Sequence, residues 1–179
     1  LDSIRKMWLH LYLSMLRFYR EEGLLEKWRD IDKKLEGLLL SLSPEQIAFL
    51  HYERTLYALF ALDVPEVKTQ IKAWPSNESL PFWETKRAGL LAEIGQVEDA
   101  DRILEQSLRS IRSKLNLKPV TTDYSLVSQE AFTMLLLHYV RSSGFPKNGL
   151  WSENKDIQRQ FMERWNTLKQ YKCDPWNEF

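Results

Sequence analysis

Apolar residues recur along this chain at three- and four-residue steps, and no stretch alternates apolar with polar residues as a half-buried strand would. From Ile4 to Tyr19, "IRKMWLHLYLSMLRFY" sets Trp8, Leu11, Tyr12, Met15 and Phe18 or Tyr19 on one helical period. Gly23 interrupts the pattern, which resumes with Leu24, Trp28, Ile31, Leu35 and Leu38 or Leu39. The expectation is helix throughout, punctuated by short breaks.

The breaks carry their own chemistry. "SPEQ" at 43–46 offers a serine cap, a proline at the first helical position and Gln46 three residues after the cap. Those side chains replace the backbone partners that a helix start lacks, so a helix should run from there to about Leu62. Asp63 or Val64 ends it, and Pro65 fits the first turn of the next helix. "PSNESLP" at 75–81, with two prolines among polar residues, is the clearest linker. A helix from about Pro81 to Ile94, a turn at Gly95 and a helix from Val97 to about Leu115 follow. Thr122 or Asp123 caps a helix reaching Ser142, and the last helix is expected from Glu153 to Tyr171, before Pro175.

This reading gives eight helices in four hairpins, turning near Gly23, Asp63, Gly95 and Gly144. The spacing is close to that of helical repeats, in which no single hairpin can bury its apolar face and neighbours must stack. The third hairpin is the most specific. With Gly95 at the turn, small residues fall at Ala88, Ala100 and Ser107, and large apolar ones at Leu91 and Leu104. Two helices cross closely only where small side chains allow it.

That window, about 81–114, resembles a tetratricopeptide repeat, although Ser107 replaces an alanine and Arg112 stands at the closing proline's position. The other hairpins diverge, with Trp28 and Lys68 where the second-helix alanine would sit. The resemblance implies an all-α, right-handed superhelix of about four antiparallel hairpins, one domain over 1–179. The run "LVSQEAFTMLLLHYV" and the ending "RWNTLKQYKCDPWNEF" are also similar in style to C-terminal helical regions of large bacterial sirtuin-like or NTPase defence proteins. The chain starts at "LDSIRKMW" without an initiator methionine and stops at "CDPWNEF" beside no closing element, and is on that ground expected to be a piece of a larger multidomain protein.

Composition narrows the function classes. Hydrophobic residues make up 44% and charged residues 28%, so the chain is neither disordered nor membrane-like. Twenty-five basic residues balance 25 acidic ones, which argues against nucleic acid as a chain-wide partner. The apolar runs are too short to span a bilayer, and the single Cys173 makes no internal disulfide, so a reducing cytoplasm is expected. His10, His51 and His138 lie in three different helices without metal-ligand spacing, and there is no phosphate loop, nucleophile elbow or zinc-protease motif. Acidic residues in "VEDAD" suit the positive end of a helix dipole and need no catalytic role. The seven tryptophans, at helical spacing, read as core or wedges between helices.

The function expected is thus a non-catalytic interaction or regulatory scaffold, with no metal and no cofactor. In tetratricopeptide-type repeats the first helix of each pair lines the concave surface. This implies a partly basic groove of Arg17, Arg20, Arg54, Lys86, His138 and Arg141, with Glu21 and Glu93 as counterweights. Such a groove would take a protein or peptide partner bearing carboxylates or phosphates. The lysine–asparagine pattern of repeat domains that bind chaperone tails is missing. Self-association through Trp151 or Trp176 is the alternative, and a helical hydrolase is the third reading.

Overall fold

The computed structural model describes residues 2–116 and 124–142, with 159, 160, 162, 163 and 166 beyond them. These residues hold seven α-helices, packed as adjacent hairpins, in two compact units that divide between Ser76 and Asn77. The division falls inside the proline-rich linker.

The first unit contains α1 (Asp2–Glu21), α2 (Leu25–Glu36), a 3-10 turn (Leu39–Ser41), α3 (Pro44–Phe60) and α4 (Val64–Ala73). Leu9, Leu13 and Leu16 of α1 close against Trp28, Ile31 and Leu35 of α2 and Leu50 of α3. Trp28 stacks on Tyr57 with ring centroids 4.0 Å apart. The Trp28 indole is the wedge between α2 and α3. Because the start of α2 meets the end of α3, these two helices run antiparallel, and α1 and α3 run the same way.

Three helix ends share one device. Gly23 and Gly95 take left-handed backbone angles, φ +68° and +81°, and so does Leu62 at φ +56°. In each case the next residue's N–H reaches five residues back: Leu24 to Tyr19, Asp63 to Ala58 and Gln96 to Leu91, all within 2.8–2.9 Å. This closure satisfies carbonyls that the helix end leaves open and reverses the chain at once. The glycines supply the left-handed angle without strain; at Leu62 a side chain bears it.

Helix starts follow the side-chain logic. Ser43 and Gln46 form a reciprocal capping box, and the Asp63 carboxylate accepts from the Glu66 N–H at 3.1 Å. The helix expected to reach Leu38 or Leu39 instead ends at Glu36, where Gly37 caps it and the chain tightens into the 3-10 turn. Trp74 precedes Pro75 and is extended, ψ 114°, since the proline ring disfavours helical angles before it.

The second unit contains α5 (Pro81–Glu93), α6 (Val97–Asn116) and α7 (Tyr124–Ser142). Ala88, Ala100 and Ser107 are all buried, so α5 and α6 approach at their small residues, and Leu91 and Leu104 are buried beside them. Along α6 the buried positions Ile103, Ser107, Ile111 and Leu115 step by four. Leu115 and Ile111 pack with Val127 and Ala131 of α7. The caps at Thr122 or Asp123, the Gly144 turn, Trp151, Cys173 and Trp176 lie outside the described residues, as does most of the expected helix 153–171, of which the described positions are helical. No helix among the described residues is long and apolar enough to cross a membrane.

Candidate functional site

The first unit holds three of the six expected groove residues. Arg17 donates to Glu21 one turn on, at 2.9 Å, and that bond keeps its guanidinium charged above its ordinary range. Arg20 lies beside the same Glu21, at 3.7 Å, and donates its Nε–H to Glu53 of α3 at 2.7 Å. Arg17 and Arg20 are therefore brought together. Arg54 turns the other way, to Asp32 of α2 at 2.7 Å and Glu36 at 3.6 Å. Burial raises the Asp32 carboxyl, with the Arg54 hydrogen bond opposing. Burial likewise pushes His51 down, and the Arg54 charge adds to this.

In the second unit, α5 and α7 present a shared face. Phe82 lies 6.2 Å from Phe132, ring centre to ring centre. A Cβ on Gly89 would stand 3.4 Å from Leu136, and the Tyr139 hydroxyl is 3.5 Å from the Glu93 carboxylate. These pairs climb both helices in the same sense, so the two run parallel. Phe82, Gly89 and Glu93, like Phe132, Leu136 and Tyr139, recur at three-, four- and seven-residue steps, which places each set on one side of its helix. Beneath the face, the Thr85 and Thr133 hydroxyls meet at 3.0 Å in the buried layer.

Lys86 belongs to this face. Its ammonium lies 4.6 Å from the Phe82 ring centre and 4.8 Å from that of Trp83. Stacking a cation over aromatic faces is favourable and holds the charge at a defined place. The other two expected residues of this unit lie elsewhere. His138 is buried, its Nε2 3.3 Å from the Ser142 hydroxyl, and burial lowers its proton affinity. Arg141 reaches α6, where it pairs with Asp101 and Glu105. Nine residues past Phe132, at 100° each, it has turned to the opposite side of α7.

Three buried carboxylates escaped the sequence reading. Glu53, Glu84 and Glu130 are each held by an arginine: Arg20, Arg87 and Arg112. Glu84 also accepts the Asn77 N–H at 2.7 Å, tying the linker's end to α5. Arg112 bridges Glu130 at 2.8 Å and Gln160 at 2.6 Å beside a cleft of about 340 Å³ that Leu115, Asn116 and Glu163 complete. Among the described residues, no group of three or more His, Cys, Asp or Glu side chains is placed to hold a metal.

The chain matches no family model, no curated protein and no solved structure.

Proposed function

We propose that this chain is a non-catalytic interaction scaffold that binds a protein or peptide segment on the shared face of α5 and α7. The observation that carries the reading is the half-exposed aromatic strip of Phe82, Trp83 and Phe132 with the Lys86 ammonium fixed above two of its rings. Aromatic side chains give large contact area with little loss of rotamer freedom, and they commonly anchor interfaces. Gly89, with no side chain of its own, lets Leu136 of α7 close on the middle of the strip. Lys86 favours a guest with a carboxylate at that point. Of the arginines of the expected groove, Arg20, Arg54 and Arg141 pair with carboxylates on neighbouring helices and so hold helices together, while Arg17 pairs with Glu21 within α1.

Selection from a displayed library of random peptides tests this. Binders should be rich in Asp or Glu beside an apolar anchor. Their affinity should fall at least about tenfold in Phe82→Ala and in Lys86→Glu, a loss of about 1.4 kcal/mol. Peptides bound equally well by both variants would refute the site.

A further inference from the structure

We infer that the guest of the α5–α7 face is an amphipathic helix carrying a carboxylate and a cation two turns apart. The inference rests on the reading of that face as the binding site and names what the site takes. On α5, Phe82, Lys86, Gly89 and Glu93 step by four, three and four. At 100° per residue they fall within an arc of about 60°. On α7, Phe132, Leu136 and Tyr139 step by four and three beside them. This alternation is the heptad spacing, which keeps a seam of side chains turned towards a partner helix. Two such seams, side by side on parallel helices, suit a third helix laid along them.

The charges of the face set the guest's own pattern. The Lys86 ammonium marks one end, over the rings of Phe82 and Trp83. The Glu93 carboxylate marks the other, where the Tyr139 hydroxyl donates to it at 3.5 Å. The remaining carboxylates of α5 and α7, Glu84 and Glu130, are buried against Arg87 and Arg112. Lys86 and Glu93 are seven residues apart, about 10 Å along α5 at the helical rise. A complementary guest helix therefore sets an acidic residue at Lys86 and a basic one at Glu93, seven of its own residues away. Midway, Leu136 closes on Gly89, so the surface there is hydrocarbon. An extended guest would press its N–H and C=O groups on side chains that neither donate nor accept, and the lost hydration would go uncompensated. A helix arrives with its backbone already bonded and meets the same surface with an apolar side chain.

Two blocked alanine-based peptides of about 18 residues, long enough to sample helix in water, test the inference. Both carry leucines at four- and three-residue steps. One sets a glutamate seven residues before an arginine beside that seam, and the other exchanges the two. Fluorescence anisotropy should show that the chain prefers one of them by at least about tenfold, and Lys86→Glu with Glu93→Lys should reverse the preference. If the double exchange disturbs folding, Glu93→Gln alone should shrink the preference with helical circular dichroism unchanged. The bound peptide should gain helical ellipticity, and proline for its central leucine should abolish binding. Equal affinity for the two peptides, binding of neither, binding without helix formation, or a preference indifferent to Glu93 would overturn the helix. Library-selected binders that stay extended yet weaken in Phe82→Ala would keep the site and lose only the helix, whereas binders indifferent to both Phe82 and Lys86 would remove both.

Discussion

The Arg20 guanidinium on α1 grips both carboxylate oxygens of Glu53 on α3, at 2.7 and 3.4 Å, while Glu53 is only 1% exposed. This pair joins two helices that run the same way in adjacent hairpins. Removing one member of a buried ion pair strands the other charge in a medium that solvates it poorly. Arg20→Ala should therefore lower the unfolding free energy by about 3 kcal/mol, whereas replacing the pair by Arg20→Met with Glu53→Leu should recover most of that loss. Urea denaturation of the single and double variants checks this; an additive double variant would show that the two residues act separately.

Leu62 presents the opposite case, a residue whose backbone opposes its identity. It sits at φ +56° with its side chain 88% exposed, so little packing offsets the left-handed strain. Leu62→Gly should raise stability by about 1 kcal/mol, the cost of that conformation for an L-residue. Gly23→Ala and Gly95→Ala should each lower it by about as much, since an added Cβ meets no atom within 4 Å and only the angle is at stake. Thermal melts of the three variants would show the sign directly.

These turns illustrate what the sequence makes legible. The Ser43–Gln46 box, the Asp63 cap and the two glycine turns are local chemistry, readable within four residues. Leu62 carries no such signature, because its angle is imposed by the closure around it. The small residues Ala88, Ala100 and Ser107 were placed by the resemblance of the window around Gly95 to a helical repeat, not by spacing alone. Arg20 with Glu53, Arg54 with Asp32 and Arg112 with Glu130 are 33, 22 and 18 positions apart, and no local pattern marks them. The same separation hid Phe82 against Phe132. Arg141 was placed on the groove by its helix, but its angle around that helix turns it to Asp101 and Glu105.

Stability should depend on histidine protonation. His51 is pushed below its ordinary 6.5 by burial first and by the Arg54 charge second, with Gln70 opposing, and His138 is pushed down by burial. In the unfolded chain both take up protons near 6.5, before the folded protein does. Their contribution is therefore complete above 6.5 and is lost as pH falls from there through the depressed folded values. The melting temperature should drop over that window. His51→Gln should flatten part of the drop, and His138→Gln another part; an unchanged slope in both would refute the assignment.

The buried hydroxyl pair offers a packing test. Thr85→Val or Thr133→Val alone should destabilise by about 1 kcal/mol, because the facing hydroxyl and the carbonyl four residues back, of Pro81 or Gln129, each lose a partner, and the double variant should cost less than the sum. Chemical denaturation of the cycle measures the coupling. Strict additivity would mean that the 3.0 Å contact contributes nothing.

The most direct test of the scaffold reading is an amide chemical-shift map of the chain titrated with a selected acidic peptide. The account predicts saturable shifts at Lys86, Gly89, Phe132 and Leu136, and their loss in Lys86→Glu. Shifts clustered instead around Arg112 and Glu130, or none at saturating peptide, would contradict it.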